Sequence, residues 1–252
     1  MGTIKELSCL KTENICWFSK NLHRNMTVKV YGESGVPFLI FPTQDAMSDN
    51  FENFGMIETL ARFIDGGQIK LYCTDTIDVE TWSNVYGDKT WRAARQEAYY
   101  NYIIEELLPI IDGVPVATGC SLGGMHAAIV FLRRPELFAG MLSLSGVYDA
   151  KFFFDGWLNP VLYENSPTDF LANMPAAHPY IELYNAKKII LCIGQGRWEE
   201  EGRRTTAIMR DIFSAKKINA WTDFWGYDVD HDWLWWKRQM IYFLPQFLED
   251  AQ

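Results

Sequence analysis

The amino-acid sequence predicts an α/β fold, with a mostly parallel central sheet, helices on both of its faces and an antiparallel hairpin near the N-terminal side. Two observations predict it. From residue 38 onward, short apolar runs alternate with longer segments of helical periodicity, and that alternation builds parallel sheets whose crossovers are helices. The 252 residues, 48% hydrophobic and 22% charged, suffice for one large core, and no repeat, low-complexity tract or Pro/Gly/Ser linker divides them. A single domain over residues 1–252 is expected, with residues 150–180 as a candidate small cap segment.

Each element follows from local pattern. Ile15–Phe18 and Met26–Tyr31 flank the polar stretch Lys20–Asn25, as in an antiparallel hairpin. Phe38–Phe41 is a continuous apolar run, as in a strand buried on both faces. The polar segment Thr43–Asn50 leads to a helix over Phe54–Ile64, stopped by Gly66–Gly67. Ile69–Cys73 is the next strand, and Trp91–Ile111 carries helical periodicity through Ala94, Ala98, Ile103 and Leu107. Val114–Thr118 is a strand, followed by a helix over Leu122–Leu132 that ends near Pro135. Gly140–Leu144 is a strand, and Tyr148–Tyr184 reads as an irregular stretch. Ile189–Ile193 is a strand with a helix after it from Arg203 to Lys216. Ala220–Trp225 is the last strand and Trp233–Leu248 the closing helix. In such sheets ligands bind beyond the carboxyl ends of the strands, so the residues just after each strand carry the most weight.

Composition excludes several classes. With 23 Lys plus Arg against 32 Asp plus Glu, the chain carries a formal charge of −9 and has no basic surface with which to neutralise nucleic-acid phosphates. No apolar run approaches the ~18–20 residues that cross a bilayer, so no membrane partner is expected. Met1 to Lys20 lack the apolar core and cleavage site of a secretory signal. Glu6 stands where a myristoylation motif beginning at Gly2 wants Ser or Thr. Cys9, Cys16, Cys73, Cys120 and Cys192 are scattered, without a CxxC pair, as in a protein whose thiols stay reduced in a cytoplasm. The histidines His23, His126, His178 and His231 form no HxxxH or HExxH pair, and neither a metal nor an organic cofactor is expected.

One motif carries chemistry. After the strand ending at Thr118 the chain reads Gly119–Cys120–Ser121–Leu122–Gly123–Gly124, a G-x-S-x-G between a strand and a helix. A serine on so sharp a turn needs small neighbours, because side chains there would collide. The turn also places Ser121 at a helix N-terminus, where free N–H groups and the helix dipole favour developing negative charge, with the Leu122 N–H as one oxyanion donor. The other reading is a glycine-rich turn used only for close packing.

A serine nucleophile needs a base, and on this topology the chain order is Ser, acid, His. His126 falls within the same helix as Ser121 and reads as a packing or surface residue. His178 falls in a loop. His231 follows the last strand and opens the last helix, where a base belongs. The loop after Ile193 runs Gly194–Gln195–Gly196–Arg197–Trp198–Glu199–Glu200–Glu201, and the orienting carboxylate is expected there. Glu199 lies nearest the strand end, Glu200 is the second choice, and Asp149 after the Gly140–Leu144 strand is the outside candidate. Asp228, Asp230 and Asp232 read as residues that shape the loop of His231. The second oxyanion donor is expected from Pro42–Thr43–Gln44–Asp45, as the backbone N–H of Gln44 or Asp45.

The elbow Gly119–Ala127, the segment Gly194–Glu199 and the ending His231–Asp232–Trp233–Leu234–Trp235–Trp236 together resemble the Putative esterase family of α/β hydrolases. That family includes esterase D (S-formylglutathione hydrolase), feruloyl and enterochelin esterases and the mycobacterial mycolyltransferases. The resemblance runs from the hairpin near Trp17 to the last helix. It implies a serine nucleophile at Ser121, a histidine base at His231 and an acid matching Glu199 or a neighbour; mycolyltransferases use a glutamate there and esterase D an aspartate. One departure is that Phe41–Pro42–Thr43–Gln44 stands where esterase D has a His-Gly dipeptide.

The expected activity is that of a serine carboxylesterase acting on a small ester through an acyl-enzyme. The alternatives are an acyltransferase that passes the acyl group to an alcohol or thiol, and a non-catalytic binding protein on the same fold. Trp221, Trp225, Trp233, Trp235 and Trp236 crowd His231 in sequence and read first as packing for the last strand and helix, second as an aromatic acyl pocket. Assembly into a homo-oligomer stays open.

Overall fold

The structure, a computed structural model, describes residues 11–248. Gly2, Glu6 and Cys9 lie outside the described residues. An eight-stranded sheet runs in the order β1-β2-β4-β3-β5-β6-β7-β8. The strands are β1 Thr12–Ser19, β2 Arg24–Tyr31, β3 Val36–Phe41, β4 Ile69–Thr74, β5 Val116–Cys120, β6 Gly140–Leu144, β7 Lys188–Ile193 and β8 Trp221–Phe224. β1 and β2 form the N-terminal hairpin, and β2 joins β4 antiparallel. Every other pairing is parallel.

The helices are α1 Asn50–Asn53, α2 Met56–Asp65, α3 Lys89–Asn101, α4 Leu122–Arg133, α5 Pro160–Tyr163, α6 Pro167–Asn173, α7 Tyr180–Asn185, α8 Glu200–Lys216 and α9 Trp233–Phe243. They cover both faces, and the period of two along the strands divides the core accordingly. Leu39 and Phe41 of β3 face a cluster with Tyr99, Ile129, Phe131 and Phe213 from α3, α4 and α8. Phe38 and Ile40 face the opposite cluster, with Phe51, Leu60, Trp236 and Met240 from α1, α2 and α9. β5 and β6 are buried at every position, which explains why these strands read as unbroken apolar or small runs. No helix among the described residues is long and apolar enough to cross a membrane.

The element boundaries differ from expectation for local reasons. The helix expected from Phe54 is α2 and starts at Met56, because Gly55 adopts φ 71° and separates it from the short α1. α3 starts at Lys89, where the Asp88 carboxylate accepts from the Trp91 N–H at 2.7 Å, a cap worth about 1 kcal/mol. Beyond Asn101 the chain widens into a π-helical turn, Tyr102–Leu107, then tightens at Leu108–Ile110. The Glu106 carboxylate on that turn accepts from Trp17 Nε1, Ser19 Oγ and the Asn21 N–H, tying the hairpin to this helical segment. β5 begins at Val116 rather than Val114, because it pairs with β3 from Phe38 onward. α8 begins at Glu200, three positions before the expected start. The last helix ends at Phe243, where Pro245 converts it to a 3₁₀ turn.

Tyr148–Tyr184 is not irregular. It forms a 3₁₀ turn at Ala150–Phe154 and then α5 and α6, with α7 after them, each too short to reveal a 3.6-residue period. Phe154, Leu162, Phe170 and Leu171 of this segment join the core beside α3, α4 and α8.

Candidate active site

Ser121 sits between the end of β5 and the first turn of α4 at φ 57°, ψ −127°, a conformation that side-chain-bearing residues avoid. Local bonding over-determines it. The Ser121 N–H donates to the Leu144 carbonyl at 2.8 Å, and the Ser121 carbonyl accepts from the Gly124 N–H at 2.9 Å. The flanking glycines are set by backbone, not by mobile side chains. A Cβ on Gly123 would stand 2.3 Å from the Phe41 carbonyl oxygen and 2.5 Å from that of Pro42, and one on Gly119 2.5 Å from Gly123. The variant Gly123→Ala is therefore expected to be destabilised by about 1–3 kcal/mol, lowering the thermal midpoint by about 2–10 °C. An unshifted midpoint in a melting experiment would mean that the end of β3 yields freely.

From Ser121 an unbroken chain of hydrogen bonds crosses the carboxyl edge of the sheet. Ser121 Oγ lies 2.8 Å from His231 Nε2, and His231 Nδ1 lies 2.9 Å from Glu199 Oε2. The other Glu199 oxygen accepts from the Ser145 hydroxyl at 2.6 Å, and Ser145 Oγ accepts from Trp236 Nε1 at 3.0 Å. Glu199 is 1% exposed, so its charge is held by these donors rather than by water. With the carboxylate accepting from Nδ1–H, Nε2 of His231 is left as the acceptor for the serine hydroxyl. The Trp236 ring stands edge-on to the imidazole, 4.9 Å between centroids, and fixes its plane. The arrangement has the geometry of an activated nucleophile: hydroxyl, base and a third group that orients the base.

The two loops that deliver Glu199 and His231 are stitched to each other. Gly196 N–H donates to the Val229 carbonyl at 2.9 Å and His231 N–H to that of Arg197 at 3.0 Å. Arg197 returns three hydrogen bonds to Asp230, from its guanidinium at 2.6 and 2.9 Å and its N–H at 2.8 Å, which hold the Asp230 carboxyl below its ordinary range. That ion pair is exposed and contributes little by itself; the paired backbone bonds set the spacing. Trp198, at φ 67°, turns the chain just before Glu199 and leaves its own ring 80% exposed.

Other expected site residues fall differently. Glu200 is the exposed first residue of α8, and Glu201 pairs with Arg204 one turn on. Asp149 does not reach His231. Its carboxylate caps the turn at Ala150, accepts from Arg204 at 3.0 Å and lies near Lys151. His231 does not open the last helix: it stands in the loop, and Asp232 is the cap, accepting from the Leu234 N–H at 2.8 Å. Asp45 is unavailable as an oxyanion donor, since its N–H is directed at Asp78 Oδ2, 3.3 Å away. The Thr43 N–H is likewise taken by Asn50 Oδ1 at 3.0 Å. The Gln44 N–H has no hydrogen-bond acceptor among the described residues. Leu122, as the first residue of α4, has no intrahelical acceptor for its N–H. His126 is buried, not a surface residue, and is bonded to Asp78. His178 precedes α7, its Nδ1 accepting from the Tyr180 N–H. Burial pushes the Cys120 thiol well up, so it stays protonated beside Ser121.

Ser145 and Trp236 are the site residues that sequence reasoning missed. Ser145 is the first residue after β6, a position that the strand-end rule could have flagged. Trp236 belongs to a group of tryptophans that reads simply as packing. Most of that group does pack: Trp221 lies against Phe243 at 5.1 Å, and Trp233 against Phe51 and Phe54 at 5.4 and 4.8 Å.

An open, mostly parallel sheet with a strained serine after its central strand, and a histidine and a carboxylate on loops after later strands, defines an α/β hydrolase of the serine type. A family model described as Putative esterase matches residues 19–247. The chain belongs to that family, as its motifs implied, and is an esterase. Among solved structures it is similar to a ferulic acid esterase, with a TM-score of 0.72 and 15% identity over 95% of this chain and 98% of that one. It is also similar to an S-formylglutathione hydrolase from Agrobacterium tumefaciens (TM-score 0.71, 15% identity, 95% of each chain). A third is MPT51 (FbpC1) of Mycobacterium tuberculosis (TM-score 0.65, 16% identity, 94% and 98%). At these identities the likeness is one of fold. No curated protein matches the chain.

Proposed function

We propose that the protein hydrolyses small carboxylic esters through an acyl-enzyme on Ser121, with His231 as general base and acid and Glu199 as the orienting carboxylate. The observation that carries this is the continuous Ser121–His231–Glu199 hydrogen-bond chain starting from a strained strand-to-helix turn. In the first half-reaction Nε2 of His231 takes the Ser121 proton while Oγ attacks the ester carbonyl. The carbonyl π pair becomes an oxyanion, held by the N–H groups of Leu122 and Gln44. The tetrahedral species collapses, the C–O bond to the alcohol breaks, and His231 returns the proton to the departing oxygen. Water repeats the sequence and releases the acid. Proton transfer of this kind supplies about 10²–10⁴ in rate and each oxyanion donor about 10²–10³.

The test is hydrolysis of p-nitrophenyl esters from acetate to octanoate, with acid-quenched samples digested and mapped by mass spectrometry. Two solved neighbours are named for ferulic acid esters and S-formylglutathione, so a feruloyl ester and that thioester belong in the panel. The expected result is turnover with a chain-length optimum and an acyl group on the peptide containing Ser121. A folded protein inert to the whole panel, or an acyl group on another residue, overturns the proposal. Product analysis with an added alcohol separates hydrolysis from acyl transfer.

A further inference from the structure

A second histidine–carboxylate pair lies behind the site. His126, on α4 five positions after Ser121, is 2% exposed, and Asp78, on the 3₁₀ turn Asp78–Glu80, is 1% exposed. His126 Nε2 lies 2.9 Å from Asp78 Oδ1. The other carboxylate oxygen, Oδ2, accepts from the Asp45 N–H. The same turn reaches the loop a second time: the Asp78 carbonyl accepts from the Ser83 N–H at 3.0 Å, and Ser83 Oγ accepts from Gln44 Nε2 at 2.7 Å. On the far side, Asn50 Oδ1 holds the Thr43 N–H, and Thr76 Oγ1 donates to the Ala46 carbonyl at 2.9 Å. The amides on either side of Gln44 are thus both committed, and its own has no acceptor among the described residues.

Stability does not account for the pair. Desolvating an imidazole and a carboxylate offsets much of their attraction, and apolar groups of the same volume often serve a core equally well. The surroundings are already apolar: His126 stacks on Phe41 at 5.8 Å and meets Tyr99 edge-on at 5.0 Å. What apolar groups cannot do is accept an N–H at a fixed point. We infer that His126–Asp78 is a positioning strut, joining the helix that begins with the Leu122 N–H to the loop that carries the Gln44 N–H and so setting the spacing of the two oxyanion donors. This rests on the acyl-enzyme proposed above. Donors act only within about 2.7–3.1 Å of the developing oxyanion, and a misplacement of about 1 Å costs about 10²-fold.

The strut is tested with Asp78→Ala, Asp78→Asn, His126→Gln and His126→Asn, measuring kcat and KM on p-nitrophenyl acetate and the inhibition constant of a trifluoromethyl ketone, which forms an oxyanion on the serine. Asp78→Ala is expected to lower kcat by about 30–100-fold with KM within about twofold, and to weaken the ketone by the same factor as kcat/KM. Asp78→Asn, which still accepts from the Asp45 N–H, recovers most of the loss. His126→Gln reaches Asp78 and the shorter His126→Asn does not, so the first retains activity and the second loses it. That pair decides the matter should Asp78→Ala not fold. Folded variants with unchanged kcat and ketone affinity, or a loss confined to KM, overturn the strut. Ser121→Ala run in parallel separates the two ideas. If it is inactive while Asp78→Ala is normal, only the strut falls; if it stays active, the oxyanion reading falls with the acyl-enzyme.

Discussion

Replacing Ser121 by alanine is expected to lower kcat for p-nitrophenyl ester hydrolysis by at least about a thousandfold, with the fold intact. Alanine removes the attacking oxygen and one hydrogen bond to His231, and nothing else in the turn depends on Oγ. The backbone at φ 57° is as costly for alanine as for serine, so the strain is unchanged and folding free energy should move by less than about 1 kcal/mol. What remains is the contribution of the oxyanion donors and of binding, which in enzymes of this type still exceeds the uncatalysed rate by about 10³–10⁴. Steady-state kinetics with a matched thermal melt checks both halves. Equal activity in the two proteins would make the elbow a packing device and remove the acyl-enzyme.

Glu199→Gln is expected to cost about 10³–10⁴ in kcat, whereas Glu200→Gln and Glu201→Gln stay within about twofold. The asymmetry comes from position. The Glu199 carboxylate is buried and accepts on both oxygens, from His231 Nδ1–H and from the Ser145 hydroxyl. A glutamine can present its NH₂ to His231, which forces the proton onto Nε2 and leaves no acceptor for Ser121. Turned over, it presents the NH₂ to Ser145, whose hydroxyl then loses its acceptor. Either way the negative charge that stabilises the imidazolium is gone. Glu200 is exposed, and Glu201 is engaged by Arg204. Kinetics of the three variants side by side checks this. A collapse in Glu200→Gln with Glu199→Gln near normal would move the acid by one residue and require the first turn of α8 to unwind.

What was legible in the sequence was what local spacing dictates. The elbow could be read because its glycines are required by steric contacts within a few residues of the serine and with the end of β3. His231 could be located because the strand order fixes which loop arrives last at the carboxyl edge. For the acid, nearness to the strand end ranked Glu199 ahead of Glu200 and left Asp149 as the outside candidate, because the arrangement of the carboxylates depends on where α8 starts. With Glu200 as the first helical residue, Glu199 falls at the helix boundary and turns inward. Ser145, Trp236 and the His126–Asp78 pair were opaque for a different reason: their partners lie 54, 91 and 48 residues away in the chain, beyond any local pattern. The helices between Ala150 and Asn185 escaped notice because a segment of one or two turns shows no period.

The Ser121–His231 contact spans 110 residues. Contacts of such separation are made late in folding, because the loop they close must first lose its conformational freedom. During synthesis the elbow leaves the ribosome long before β8 and the loop of His231, so a nascent chain presents the serine without its imidazole. On the mechanism proposed above, that serine stays unreactive toward acylating reagents until the final strand docks and His231 arrives. An electrophilic probe that labels Ser121 would therefore count fully folded molecules rather than merely soluble ones, and would grade variants for complete assembly in a crude extract without any purification.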